Sequence, residues 1–168
     1  MDALEETFRH HAWATGRLIS HLRSLPEEAL TVTAPGVYGS PIETVCHILA
    51  ADDRLLRNVE GEPTQLRPGP EPMRSLDELE EAARDQAARW QVVLPRLPEI
   101  DVTLASRPGR PPLEHASNLV VGQALQHGNE HRAQVCVVLS ANGYEAPSLD
   151  MFNYWRDRLA AAVLSAER

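Results

Sequence analysis

Apolar residues recur at intervals of three and four along most of this chain, which is the spacing of one face of an α-helix. The first such stretch covers about residues 3–24. Its seam runs through Leu4, Phe8, His11, Thr15, Leu18, Leu22 and Leu25. Two polar residues, His11 and Thr15, therefore interrupt the seam near its middle.

A second helix is predicted over about residues 41–60, because helix-start signals stand directly before an apolar period. Ser40 is a suitable N-cap, Pro41 fits the first helical position, and Glu43 completes a capping box. Gly61 follows, where a helix commonly ends. Both ends of this helix are therefore signalled in the sequence.

The third helix is predicted to run from Ser75 to about Leu97, again with a capping box, which Glu78 completes. After it, apolar residues alternate near 99–115, and a Pro-Gly pair at 108–109 indicates a turn. We expect a short extended excursion or hairpin in this part of the chain.

A fourth helix is predicted over about residues 117–141, and an extra C-terminal helix over about 149–166. No internal repeat or low-complexity tract divides the chain, so residues 1–168 are interpreted as a single domain. Long helices joined by short connections favour an all-α, up-and-down bundle.

The composition, 43% hydrophobic and 24% charged residues, is that of a folded globular domain. The formal net charge is −8 and no basic run exceeds two residues, which argues against nucleic-acid binding. The chain starts with acidic residues, unlike a signal peptide, and no apolar run approaches the ~18 residues of a membrane span. With two cysteines and no CxxC motif, a cytoplasmic protein with free thiols is expected.

His127 and His131 are four residues apart on the predicted fourth helix, so their side chains share one face. They lie within or at the edge of its apolar stripe, where an unpaired polar group costs roughly 1–3 kcal/mol. Two inward imidazoles can bind one metal ion, with a third ligand from a neighbouring helix. They can equally be buried histidines satisfied by hydrogen bonds, and the spacing names no third ligand.

The same segment contains the H-x-x-E-H string of the inverted zinc peptidases. That chemistry needs the glutamate beside the metal-bound water and another acidic ligand far downstream. Glu130 falls on the polar side of the helix and little chain follows it, so this alternative is weak.

His47 differs from the other two, because it lies about 140° from the centre of the apolar stripe of the second helix. It is either exposed to solvent or lines a cleft on the second face of that helix. Ala50 and Ala51 are close to it on the helix, and their small side chains let another group approach.

Three segments together resemble the DinB-like metal-binding bundles. The segment "VVGQALQHGNEHRAQVCVVLSANGYEAPSLDMFNYW" is similar to their C-terminal signature, in which HxxxH precedes R-G/A-Q and a "pslD" tail. "SPIETVCHILAADDRLL" resembles their second-helix segment, and "HHAWATGRLISHL" resembles their N-terminal helix. The likeness covers nearly the whole chain and is specific in combination.

The resemblance implies a four-helix up-down-down-up bundle, often a homodimer, that holds a divalent metal ion through three histidines. Carried over to the matching positions, the ligands are His47, His127 and His131. Zinc suits three imidazoles well, and nickel, iron and manganese are alternatives. The chain departs from the family pattern at Ala133, where glycine is frequent, and at His11, where another polar residue is frequent.

Three more residues are candidates for contacts behind the ligands or with a substrate. His11 either reaches the site or is a satisfied core histidine. Gln134 lies one turn beyond the histidine pair and can orient His127 or a bound water. Glu43 lies one turn before His47 and can orient its ring, but we expect this glutamate to serve the cap of the second helix instead.

The resemblance implies a metal-dependent enzyme that activates a low-molecular-weight thiol for transfer to an electrophilic small molecule, in stress or detoxification. A three-histidine ion can supply that activation as a Lewis acid, and the sequence offers no convincing general base. The alternatives are a metal-dependent hydrolase, or a non-enzymatic dimeric bundle that binds a metal or ligand. A small-molecule substrate is the expected partner, rather than a nucleic acid or a membrane.

Overall fold

The computed structural model describes residues 2–62, 74–104 and 111–166, and within these ranges the regular secondary structure is helical apart from one isolated β-bridge. The helices are α1 (Ala3–Ser24), α2 (Pro41–Val59), α3 (Leu76–Val93), α4 (Ser117–Ala141) and α5 (Met151–Ala166). The predicted all-α class is confirmed. None of the described helices is both long and apolar enough to cross a bilayer.

Four of the helices surround a common core, in which α2 packs against α3 and α4, and α1 also packs against α3 and α4. The core has two apolar clusters. One includes Phe8, Leu56, Trp90 and Val120, and the other includes Leu18, Val45, Leu79 and Val135. The first cluster takes early residues of α1 and α4 but late residues of α2 and α3, and the second cluster does the reverse. Helices α2 and α3 therefore run opposite to α1 and α4, which is the expected up-down-down-up order.

The predicted starts of α2 and α3 are confirmed, since both helices open with a complete capping box. The predicted end of α3 near Leu97 was wrong, because the helix stops at Val93 and continues as a 3-10 turn over Leu94–Glu99. Pro95 accounts for the difference, since it lacks the N–H that an α-helix needs and its ring clashes with the preceding turn.

The excursion expected near 99–115 contains one antiparallel bridge between Leu104 and Leu113. The two residues exchange backbone hydrogen bonds of 2.9 and 3.0 Å. The predicted Pro-Gly turn at 108–109 lies outside the described residues. Ala116 N–H donates to Val102 O at 2.8 Å, so the excursion returns to the bundle just before α4 begins.

Helix α5 lies on the outer side of α1 and is held there by polar contacts. The Asp157 carboxylate accepts hydrogen bonds from Trp13 Nε1 at 3.2 Å and from Arg17 Nη1 at 2.8 Å. Tyr154 donates its hydroxyl to Glu6 at 2.5 Å, and Arg158 also pairs with that carboxylate. This helix is therefore an addition to the bundle rather than part of its core.

A buried polar cluster explains why polar residues interrupt the seam of α1. Arg132 on α4 is 3% exposed, and its Nη1 lies 3.3 Å from His11 Nδ1 and 3.1 Å from Thr15 Oγ1. Asp52 Oδ2 on α2 lies 3.7 Å from His11 Nε2 and accepts from Trp90 Nε1 at 3.0 Å. Burial lowers the pKa of Arg132 to about 10 against the opposing charge of Asp52, so the guanidinium stays cationic at neutral pH. The cluster joins all four helices of the bundle.

Gly128 lets α1 and α4 approach closely at this cluster. A Cβ added there would lie 2.4 Å from His11 Cε1 and 2.9 Å from Arg132 Nη1. Both side chains are buried and hydrogen-bonded, so neither can move aside freely. The close approach of the two helices therefore requires a residue without a side chain.

Gly128→Ala is expected to lower the free energy of unfolding by about 1–3 kcal/mol, because the new methyl group overpacks the contact between α1 and α4. Gly122→Ala is the matched control on the same helix, where nothing lies within 4 Å of the added Cβ. It should raise that free energy by about 0.5–1 kcal/mol through helix propensity. Urea denaturation measures the free energy of unfolding of both variants. Equal changes in the two variants would contradict the proposed overpacking at Gly128.

Candidate metal centre

Packing of α2 against α4 brings three histidines together at the surface of the bundle. His47 comes from α2, and His127 and His131 come from adjacent turns of α4. One ligand atom from each lies within 4.8 Å of the others, and all three side chains are half-buried. Glu130 is exposed and is not part of this group, so the peptidase-like arrangement of H-x-x-E-H is absent from the described residues.

The spacing of these rings suits a shared metal ion. His47 Nε2 and His127 Nε2 are 3.1 Å apart. Two nitrogens bound to one tetrahedral zinc ion at about 2.0–2.1 Å are about 3.3 Å apart. The ring centres of the three histidines are separated by 4.4 to 4.9 Å. The donor set therefore suits a divalent ion once the ligand atoms, which lie within 4.8 Å of one another, move closer together, and three neutral nitrogen ligands leave a coordination position for another molecule.

The protonation state of His127 also suits metal binding. Burial of its ring, together with the neighbouring His131 and His47, lowers its pKa to about 4. The imidazole is therefore neutral at physiological pH, and the neutral form is the one that binds metals.

Gln134 fixes the ring of His131 rather than that of His127. Its Oε1 accepts a hydrogen bond from His131 Nδ1 at 2.9 Å, which leaves His131 Nε2 as the unprotonated nitrogen. The same oxygen accepts from the backbone N–H of Tyr38 at 3.3 Å. Gln134 therefore connects α4 to the loop that precedes α2.

Tyr38, which the sequence analysis missed, lies directly against the histidines. Its ring stacks on His47 with centroids 4.0 Å apart and meets His131 edge-on at 5.3 Å. The residue lies in the irregular segment between α1 and α2, where no periodic signal marks it. Its side chain is 50% exposed, so it covers one side of the site without closing it.

The remaining candidates have other contacts. Glu43 caps α2, where its Oε2 accepts from Ser40 N at 2.9 Å and Ser40 Oγ at 2.7 Å. His11 belongs to the buried cluster with Arg132 and Asp52 described above. Within the described part of the chain, the contacts recorded for His11 join it to that cluster and not to the three histidines. Both residues therefore make contacts that stabilise the fold.

A cavity of about 310 Å³ opens beside two of the histidines, between α2 and α4. It is lined by His47, Ala51, Arg54, Leu55, Gln123 and His127. Ala51 lies one turn after His47, and its small side chain leaves room next to the ring, as the sequence predicted. None of the described lining residues is acidic.

Comparison with known proteins identifies the family of this chain. A family model described as the DinB superfamily matches residues 10–134, a range that contains all three histidines. A search of curated proteins found no match. Because the matched range covers most of the chain, this protein belongs to the DinB superfamily.

Proposed function

We propose that this protein is a metal-dependent enzyme that transfers a low-molecular-weight thiol to an electrophilic small molecule. The observation that carries the proposal is the convergence of His47, His127 and His131 beside an open cavity. Membership of a metal-binding superfamily supports it. We further propose that this activity serves detoxification or the stress response in the cytoplasm.

The residues that would hold the ion are the three imidazoles, and zinc is the metal that their number and type suit best, ahead of nickel, iron and manganese. Three neutral ligands would leave the positive charge of a divalent ion intact, which would lower the pKa of a bound thiol so that it would lose its proton to solvent near neutral pH. Gln134 holds the His131 ring with its ligating nitrogen deprotonated. Tyr38 restrains the His47 ring by stacking.

The lining of the cavity is compatible with thiol transfer. Hydrolytic metal sites commonly place a carboxylate beside the water as a general base. No acidic side chain is found among the described residues that line this cavity. A thiol that ionises on binding needs no such base.

We also propose that the protein forms a homodimer through α5. Four large side chains on this helix form an exposed apolar stripe: Phe152 (78% exposed), Trp155 (47%), Leu159 (54%) and Val163 (58%). Their spacing of three and four places them on one face, as in the seam between two packed helices. A second copy of α5 presents the same stripe, so the interface is self-complementary.

Protein prepared without a histidine tag should contain about one divalent ion per chain, because three imidazoles suffice for a tight site. His47→Ala and His127→Ala should each lose most of that metal, and His21→Ala, on α1, should keep it. Elemental analysis gives the metal content. The metal-loaded wild type should then consume a small thiol with an electrophile such as monobromobimane faster than either variant does.

Two results would contradict these proposals at different levels. Equal metal content in all four proteins would indicate that the three histidines form a hydrogen-bonded cluster in a non-enzymatic bundle. Normal metal content without accelerated thiol consumption, but with hydrolysis of an activated ester, would favour the hydrolase.

Gln134→Ala should weaken metal binding about 10- to 100-fold, the usual effect of removing a group that orients a ligating histidine. Gln134→Glu should restore most of the affinity, since a carboxylate also accepts from His131 Nδ1. Gln126→Ala, an exposed position on the same helix, is the control. Competition with a zinc chelator measures the affinities. Equal affinities of Gln134→Ala and the wild type would show that Gln134 does not orient a metal ligand.

The wild type should sediment as a dimer, and the double variant Phe152→Glu, Leu159→Glu should sediment as a monomer, because like charges would face each other across the stripe. Analytical ultracentrifugation measures the mass. The variant should retain its helical circular dichroism and its metal, since neither residue belongs to the core or the site. A monomeric wild type at micromolar concentration would refute the proposed interface.

A further inference from the structure

We infer that the interior of the bundle is a binding site for one water molecule, which joins Asp52 on α2, Gln86 on α3 and His11 on α1. None of the three histidines of the candidate metal centre lines this site. The inference therefore does not depend on the proposed activity, and it concerns the buried polar cluster instead.

Two buried oxygens in this part of the bundle accept no hydrogen bond from the described residues. They are Oδ1 of Asp52 and Oε1 of Gln86. The two residues are only 5% and 6% exposed, so bulk solvent does not reach these oxygens. Native proteins seldom leave a buried acceptor without a donor, and ordered water commonly supplies one where the protein does not.

Other hydrogen bonds fix the orientation of both groups. Gln86 Nε2 donates to the backbone oxygen of Leu49 at 2.9 Å, and turning the amide over would place two oxygens against each other. Trp90 Nε1 donates to Asp52 Oδ2 at 3.0 Å, which leaves Oδ1 as the second acceptor of the carboxylate. Reassigning the amide of Gln86 therefore does not provide the missing donors.

Both residues line the same small space between α1, α2 and α3. Its volume is about 10 Å³, close to the ~10–15 Å³ that one water molecule needs. An organic ligand is too large for a space of this size. The lining residues are His11, Ala12, Thr15, Leu49, Asp52, Ala83, Gln86, Ala87 and Trp90.

His11 supplies a donor to the same space. Arg132 Nη1 lies 3.3 Å from His11 Nδ1, and a guanidinium can only donate, so the ring proton of His11 is on Nε2. His11 Nε2 lies 3.7 Å from Asp52 Oδ2, which is longer than a direct hydrogen bond. Separations of this length are often bridged by water. A water that accepts from His11 and donates to Asp52 Oδ1 and Gln86 Oε1 makes about three hydrogen bonds, as buried waters usually do.

The charges around the space favour water over an ion. The negative charge of Asp52 is already opposed by that of Arg132 in the same cluster. A cation added here would leave a net positive charge in the core, which is costly, and it would face the Nε2–H of His11. An anion would face two acceptor oxygens. A neutral molecule with two donors avoids both penalties, and water is the one that fits this volume.

A crystal structure of the wild type, at a resolution that shows ordered waters, tests the site directly. We expect one density peak at about 2.7–3.0 Å from both Asp52 Oδ1 and Gln86 Oε1. Crystals grown with rubidium salts should give no anomalous signal at this peak. An anomalous signal there, a direct contact between the two oxygens, or no peak within hydrogen-bond distance of both would each overturn the inference.

Magnetic relaxation dispersion of the water nuclei tests the site in solution, because it counts waters that stay in the protein for longer than its rotation takes. Gln86→Leu removes one acceptor, so this variant should hold one such water fewer than the wild type. Gln91→Leu, at an exposed position on the same helix, is the matched control and should keep the wild-type number. Equal numbers in the wild type and Gln86→Leu would overturn the inference. Circular dichroism confirms that the variants fold, and if Gln86→Leu does not, the wild-type crystal structure decides.

Discussion

The contact between α2 and α4 is the interaction on which the candidate site depends. These helices share the most extensive interface among the described elements, and they bring His47 within reach of a histidine pair some eighty positions later in the chain. Neither helix alone can form the site, because His127 and His131 supply only two of the three imidazoles. Any change that separates α2 from α4 therefore alters the three-histidine group as well as the core.

The buried polar cluster sets the rotation of α4 within that interface. Gly128 and Arg132 each follow one of the histidines by a single residue, so they occupy a face about 100° around the helix. On that face Arg132 contacts His11 and Thr15, and the missing side chain of Gly128 admits the His11 ring. Because a buried guanidinium is costly to leave unpaired, α4 is held in one orientation. That orientation turns the two histidines towards α2.

The chemistry of the site follows from this arrangement. The imidazoles are half-buried, and burial favours the neutral, metal-binding form of His127 by lowering its pKa. Tyr38 and Gln134 contact two of the rings, and two of the imidazoles line a cavity between α2 and α4.

The sequence alone determined the helices, most of their ends and the pairing of His127 with His131, because these depend on local periodicity and capping. Periodicity placed His47 off its apolar stripe, and only the family resemblance joined it to the other two. Tertiary structure decided that Arg132 and Asp52 are the partners of His11, that Gln134 orients His131, and that Tyr38 stacks on the site. A helical repeat specifies which face a residue occupies, but contacts between residues far apart in the chain depend on how the helices pack, and no local pattern records that packing.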